Sequence, residues 1–281
     1  MDETLRQLSR IAGALERLSP PPPDPALLAS GTTFVWRPHA GGLRPAVAGG
    51  APLALLREVE PQKKALLDNT RRFAAGARAN NALLWGVRGA GKSALVRAVH
   101  AAVAADAPAL KLIEVPRDAL AAVPALLDAV AGLDVRAIVF IDDLSFDGED
   151  DAAKALKPAL DGGLGGRAPN VIVYATSNRR HLMGRDAREN AAGDLHWSDT
   201  AEERLALSDR FGLWMGFHAL DQEQYLRIVA AYAQALALPV AEDALRLRAL
   251  QWAMARGARS GRTAWQFILA LAGELGVDAR Y

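Results

Sequence analysis

The residues with the clearest chemical pattern lie between positions 86 and 93. The segment reads Gly86-Val87-Arg88-Gly89-Ala90-Gly91-Lys92-Ser93. It is a GxxxxGK pattern followed by Ser, and it lies between a short apolar run and a helical pattern. Glycines at these positions let the backbone curl so that its N–H groups surround phosphate oxygens at a helix N-terminus. Lys92 adds a cation for the β- and γ-phosphates, and the Ser93 hydroxyl is a ligand for Mg²⁺. The segment therefore predicts a site for a nucleoside triphosphate with Mg²⁺.

A second cluster of candidate residues follows the apolar run 137–141. Asp142 comes directly after this run, where a strand of a parallel sheet would place its carboxylate at the edge that carries phosphate sites. There it would hold Mg²⁺ together with Ser93, and Asp143 is the next residue. Because strands often end in aspartate, this assignment depends on the presence of Lys92 about fifty residues upstream.

The elements that must position these residues are predicted from short apolar runs that alternate with longer helical patterns, as in βαβ units with a parallel sheet. Five buried strands are predicted at 82–85, 110–115, 137–141, 171–175 and 213–217. Three helical patterns follow at 221–236, 241–255 and 261–273. The expected fold is α/β, with a parallel five-stranded sheet flanked by helices and a small all-helical C-terminal domain.

The N-terminal third has less regular patterning. A helical stripe precedes the proline run 20–23 and consists of Leu8, Ile11, Leu15 and Leu18. We expect this helix to pack on its own protein, with binding to a partner as the alternative. Segment 33–56 lacks a sustained period and is expected to be irregular, and a helix is expected over 61–75. The predicted domains are 1–32 (helix and proline-rich linker), 33–219 (α/β nucleotide-binding domain) and 220–281 (helical lid).

Composition excludes several classes of function. With 281 residues, 51% of them hydrophobic, the chain can bury one large core or two modest ones. Lys plus Arg (33) nearly equals Asp plus Glu (32), so no overall charge favours nucleic acid or an anionic membrane. The absence of cysteine excludes disulfides, thiolate zinc sites and thiol catalysis. Without a secretory signal or an apolar stretch of spanning length, a cytoplasmic protein with no membrane partner is expected.

Four segments occur in the order found in the AAA+ class of P-loop ATPases, which this sequence resembles. They are 86–93, the run ending in Asp142-Asp143, 171–178 and 208–211. More narrowly, NNALLWG at 80–86, IDDLSF at 141–146, SNRRHL at 177–182 and LSDRFG at 207–212 look like a bacterial AAA+ family filed as domain of unknown function 815. This likeness extends from about Thr33 to the end of the chain.

The resemblance implies roles for three further residues. Asn178 would be the sensor that orients the attacking water, with a capping or turn role as the alternative. Arg210 would be the finger that reaches the nucleotide of a neighbouring subunit, with a surface ion pair to Asp209 as the alternative. Arg262, at the start of the last helix, would be the second sensor and is favoured over Arg259.

One residue departs from the pattern of the class. AAA+ ATPases follow the metal-binding Asp with a Glu that acts as general base, whereas this chain has Asp143. The side chain of Asp is shorter by one methylene, so either Asp143 works from a different position or Glu149 serves instead, and hydrolysis is expected to be slow. Segment 59–63 corresponds loosely to the adenine-lining segment of the class, and no adenine-contacting residue is predicted within it.

The resemblance implies a Mg²⁺-dependent ATPase that binds ATP and ADP and assembles as a homo-oligomer, for which a ring is one arrangement. Hydrolysis would be coupled to remodelling or loading of a protein or nucleic-acid client that the sequence does not identify. The alternative is an ATP-controlled switch or assembly scaffold with negligible hydrolysis. GTP is disfavoured because the chain has no Asn/Thr-Lys-x-Asp motif for reading guanine.

Overall fold

The structure is a computed structural model that describes residues 3–18, 25–38, 42–47, 49–144, 156, 160, 168–178 and 210–279. Glu149 and Asp209, both named above, lie outside the described residues. No helix in the described part of the chain is long and apolar enough to cross a lipid bilayer.

A seven-stranded sheet forms the centre of the described structure. Its strands are β1 (Thr33–Arg37), β2 (Gly42–Pro45), β3 (Ala82–Gly86), β4 (Leu110–Val115), β5 (Arg136–Ile141), β6 (Val171–Ser177) and β7 (Leu213–Phe217). Their order is β2-β1-β4-β5-β6-β3-β7, and only the β1–β2 pair is antiparallel. The five predicted strands are confirmed as neighbours in one parallel sheet.

The predicted number of strands was wrong, because β1 and β2 extend the sheet beyond β4. Both lie in segment 33–56, which was expected to be irregular. In β1 only Phe34 and Trp36 are fully buried, and β2 has four residues, two of them Gly and Pro. A strand this short gives too few alternations for a period of two to be recognised.

Helices cover both faces of the sheet. One face packs against α2 (Pro25–Ala29) and α5 (Val123–Ala131), and the other packs against α3 (Glu60–Ala74) and α4 (Lys92–Ala104). Successive residues of a strand enter opposite cores, as Val139 and Phe140 do in β5. Because both faces are buried, the central strands are continuously apolar, and this made them recognisable in the sequence.

Three helices after β7 enclose a core of their own. They are α6 (Gln222–Ala235), α7 (Glu242–Arg256) and α8 (Gly261–Glu274), as the sequence predicted. The N-terminal ends of α6 and α8 are fixed by side-chain caps, with Asp221 and Gln224 forming a capping box and Ser260 accepting from the Thr263 N–H. Helix α7 ends at Gly257, which has a left-handed backbone.

The first helix differs from the prediction. Helix α1 (Glu3–Leu18) is present, but the leucine and isoleucine side chains that the structure describes on it do not pack on the other described residues. Leu8, Ile11 and Leu15 are 56 to 60% exposed, so the expectation that this helix is covered by its own chain was wrong.

Two glycines shape the turn from β3 to α4. Gly86 has φ 128°, and a Cβ atom added there would lie 2.0 Å from the carbonyl oxygen of Phe217. That carbonyl also accepts a 3.0 Å hydrogen bond from the Val87 N–H, which holds the turn against β7. Gly91, directly before α4, has φ 94°, but an added Cβ atom would meet nothing within 4 Å.

The pair Gly86→Ala and Gly91→Ala separates packing from backbone strain. Both variants place a side chain at positive φ, which costs about 1–2 kcal/mol. Only Gly86→Ala adds a clash with the backbone, so we expect it to lose about 3 kcal/mol or more, or to fail to fold. Urea unfolding midpoints at equal slope measure the difference, and equal midpoints for the two variants would contradict this account.

Candidate nucleotide-binding site

The predicted phosphate-binding residues meet at one edge of the sheet. Strands β3, β5 and β6 are parallel, so the residues that follow them lie at the same edge. These are the loop 86–93, Asp142 with Asp143, and Asn178. Residues 88–93 of the loop, the two aspartates and Asn178 line one cleft of about 870 Å³, within the usual size of small-molecule sites, whereas Gly86 and Val87 are not in its lining.

Lys92 lies at the centre of this cluster. Its ammonium donates to the carbonyl oxygens of Gly86 (3.0 Å) and Val87 (2.8 Å) and to the Asn178 Oδ1 (2.9 Å). Burial lowers the pKa of Lys92 to about 8, against the opposing effect of Asp143 and Asp142. Three partners satisfy the three donors of the ammonium, so an incoming phosphate must exchange with at least one of them.

Asp142 is hydrogen-bonded to hydroxyl groups from two elements, α4 and β6. Its Oδ1 accepts from the Ser93 hydroxyl (2.5 Å) and from the Thr176 hydroxyl (2.6 Å). Mg²⁺ prefers oxygen ligands, usually one or two carboxylates with phosphate and water. The donor set therefore fits Mg²⁺, and Ser93 and Asp142, the two predicted metal-binding residues, lie in direct contact. Among the described residues there is no group of three or more His, Cys, Asp or Glu that could hold another metal.

Asp143 is oriented by its neighbours. Its backbone has φ 55°, a left-handed conformation that Asp adopts more easily than most residues. The Asp143 N–H donates to the Thr176 hydroxyl (2.9 Å), and its carboxylate accepts from the Asn178 amide (2.5 Å). Asn178 thus accepts from Lys92 with its oxygen and donates to Asp143 with its nitrogen, so both neighbours fix its orientation.

Two polar residues of this network were missed in the sequence. Thr176 lies on β6 two positions before Asn178, and this spacing of two in an extended chain is the signal that could have identified it. Arg97 lies one turn after Ser93 on α4, and its guanidinium is 3.8 Å from Asp142 and 3.0 Å from Glu114. Arg97 therefore balances part of the carboxylate charge at the predicted metal site.

The cleft has an excess of cationic side chains. Those that line it are Arg57, Arg88, Lys92, Arg97 and Arg262, whereas the acidic ones are Asp142 and Asp143. Low-dielectric walls strengthen a field of one sign inside a cleft. The charge balance therefore suits a polyanion such as a polyphosphate.

The other part of the cleft is apolar and was not predicted in detail. Its lining comprises Ala51, Leu56, Val59, Leu220, Ile228, Tyr232, Trp265 and Leu269. Of the segment 59–63, only Val59 is in this lining. The other residues come from the stretch before α3 and from α6, α8 and the residues that lead into α6. Tyr232 and Trp265 contact each other edge to face, with ring centroids 5.2 Å apart.

The start of α8 contacts the phosphate-binding loop directly. The Arg262 N–H donates to the Gly89 carbonyl oxygen at 3.2 Å, and the space above Gly89 is filled by Ser260 and the Arg262 stem. Arg262 lines the cleft, whereas Arg259 is not among the lining residues. The second-sensor role of Arg262 stays a prediction, but its position beside the loop is compatible with that role.

Arg210 is not brought together with the other predicted residues. Strand β7 pairs in parallel with β3, with Phe217 opposite Gly86. Arg210 precedes β7, so it lies toward the edge of the sheet opposite the loop. The five residues of β7 span about 17 Å at about 3.3 Å each. A role for Arg210 at a phosphate group would therefore require the cleft of another subunit.

The sequence and the structure were found to be similar to one protein family and to several solved structures. A family model described as a protein of unknown function (DUF815) matches residues 29–275. The RuvB Holliday junction branch migration motor of Thermotoga maritima is 16% identical, with 80% of this chain and 74% of that chain covered and a TM-score of 0.41. The ORC2 protein of Aeropyrum pernix, in ADPNP–ADP complexes, is 14% identical, with coverages of 76% and 68% and a TM-score of 0.43.

No functionally curated protein matches the sequence. The phosphate-binding loop between β3 and α4, the parallel strands beside it and the C-terminal helices make up an α/β fold of the P-loop kind. The match with the family model extends over most of the chain. The chain therefore belongs to the DUF815 family.

Proposed function

We propose that this protein binds ATP with Mg²⁺ in the cleft between the sheet and the C-terminal helices and hydrolyses it slowly. The observation that supports this best is the single network joining Lys92 to Asn178 and Asn178 to Asp143, directly beside the Ser93–Asp142 pair. In these contacts an ammonium, hydroxyl and carboxylate oxygens and a second carboxylate lie close together, and this supports the proposal. The adjoining apolar lining is suited to a purine ring.

Each residue has a defined part in the proposed reaction. The N–H groups of loop 86–93 and the Lys92 ammonium would hold the phosphates. Ser93 and Asp142 would hold Mg²⁺, which would neutralise phosphate charge. The Asp143 carboxylate accepts a proton from water as the water oxygen bonds to the γ-phosphorus and the bond to the ADP oxygen breaks. Asn178 positions that water from its place beside Asp143.

Slow hydrolysis follows from the geometry of the base. Asp143 extends one methylene less than glutamate would, and its carboxylate is already hydrogen-bonded to Asn178. A displacement near 1 Å at the reacting group can cost about 10²-fold in rate. The same feature favours a second candidate function, a nucleotide-controlled switch in which ATP binding orders an assembly and turnover is negligible.

Assembly into a homo-oligomer is part of the proposal. Arg210 precedes the end of β7 that lies away from the loop, so we infer that its guanidinium reaches the cleft of a neighbouring subunit. An arginine supplied in this way stabilises charge on the transferred phosphoryl group. The same proposal includes action on a protein or nucleic-acid client and a cytoplasmic location. It also includes the domain limits 1–32, 33–219 and 220–281.

Measurement of ATP turnover against Lys92→Ala tests the proposed activity. We expect measurable Mg²⁺-dependent hydrolysis by the parent and none by the variant, because the ammonium is the cation that meets the phosphates. Calorimetric titration with ATP measures binding separately. A parent that binds ATP but turns over no faster than Lys92→Ala would favour the switch, and a folded parent that gives no binding heat would refute both functions.

Asp143→Asn tests the identity of the base. The amide keeps the shape of the side chain but cannot accept a proton from water, so turnover should fall to background while ATP affinity stays within about twofold. Asp128→Asn removes the same charge at an exposed position on α5 and serves as the matched control. Turnover by Asp143→Asn at the parent rate would exclude Asp143 as the base.

The pH dependence of binding tests the protonation state of Lys92. Its pKa of about 8 means that the free protein loses the ammonium proton as the pH rises through that value. Since bound phosphate favours the charged form, ATP affinity should fall about tenfold between pH 7 and about pH 9, with proton uptake on binding near pH 8.5. Calorimetry in two buffers of different ionisation enthalpy measures both. If the ATP affinity of Lys92→Ala depended on pH in the same way, the pH dependence would have to come from another group.

A further inference from the structure

Helix α1 presents an apolar face that nothing in the described structure covers. Leu5, Leu8, Ile11 and Leu15 are 57, 56, 56 and 60% exposed. The helix has 16 residues, and a helix of this length is marginal in water unless its apolar face is packed. The family model begins at residue 29, so α1 also lies outside the matched nucleotide-binding fold.

The spacing of these residues follows a heptad repeat. Leu8 and Leu15 take position a, and Ile11 takes position d between them. The flanking e and g positions hold Leu5, Ala12, Gln7 and Ala14, none of which is charged. Every charged residue of α1 falls at position b, c or f, away from a pairing seam. Two identical helices could therefore meet along this face without opposing like charges.

The charges of α1 discriminate among possible partners. Arg6 lies 3.8 Å from Glu3, Gln7 donates to Glu3 at 3.0 Å, and Arg10 donates to Gln7 at 3.5 Å. The polar face is thus mixed in sign and paired within the helix. A helix that lies on an anionic membrane carries a polar face rich in Lys and Arg. Binding to an acidic or basic partner would require a row of side chains on α1 that all carry the opposite charge. Neither feature is present among the described side chains of α1, which are those of residues 3–15.

We propose that α1 pairs with α1 of a second copy of this chain. A helix of this length extends about 24 Å. Such a pair would bury less than the 1,200–2,000 Å² or so of a stable interface, so its association depends on protein concentration. Any further contact between the same copies would strengthen the pairing by raising the effective concentration of the two helices. The inference does not rest on ATP binding or on Arg210.

The doubly substituted full-length chain Leu8→Glu/Leu15→Glu tests this pairing. Analytical ultracentrifugation over a range of concentrations should show reversible self-association of the parent, with a dissociation constant raised at least about tenfold in the variant. Ser9→Glu/Gly13→Glu adds the same two charges at positions b and f and should associate like the parent. Equal association of all three proteins would overturn the proposal.

A thiol at the seam gives a second measurement. The chain has no cysteine, so Ile11→Cys introduces a single thiol near the centre of α1, where parallel and antiparallel pairs both bring two copies together. Its oxidation should give a covalent dimer much faster than oxidation of Ser9→Cys on the polar face. Equal rates would overturn the pairing. A second outcome would also overturn it: the parent binds phosphatidylglycerol vesicles, and Leu8→Glu/Leu15→Glu abolishes this binding but leaves self-association unchanged. ATP binding, measured on each variant, tests the proposed function independently.

Discussion

A buried ammonium organises the candidate site. Lys92 is 5% exposed, and a charge in such a place is tolerated only when its hydrogen bonds are satisfied. Its three partners come from the end of β3, the loop after it and the residue after β6. Satisfying Lys92 therefore fixes the loop against the neighbouring strand and places Asn178 where it can hold Asp143. The arrangement of the catalytic candidates follows from this one requirement.

The depressed pKa of Lys92 shows the energetic cost of that arrangement. Burial disfavours the charged form, and the carboxylates of Asp142 and Asp143 recover only part of the loss. A bound triphosphate would supply the missing negative charge. The electrostatic free energy of the site is thus less favourable when the cleft is empty than when it holds a polyanion. Groups that already line the cleft would therefore contribute to the binding of a polyanion.

The sequence predicted the parts of the molecule whose pattern is local. The loop 86–93, the five apolar strands and the three last helices each have a strong motif or period. The position of Asp142 after its strand implied that it would lie near Lys92, and the resemblance to the AAA+ class implied the same for Asn178. The missed parts depend on distant contacts. Strand β1 is specified by its pairing with β4, the apolar cleft lining is collected from four separate stretches, and Arg97 acquires its role only when Glu114 and Asp142 lie beside it.

The C-terminal helices contact the nucleotide-binding part on both sides of the cleft. On one side the Arg227 guanidinium donates to the two carboxylate oxygens of Glu58 from Nε and Nη2, and on the other the Arg262 N–H donates to the Gly89 carbonyl. Because a trans peptide is planar, a Gly89 carbonyl turned toward α8 directs the Ala90 N–H the opposite way. Rotation of that peptide toward a phosphate would break the bond to Arg262. The position of α8 and the orientation of the loop amides are therefore coupled through a single peptide group.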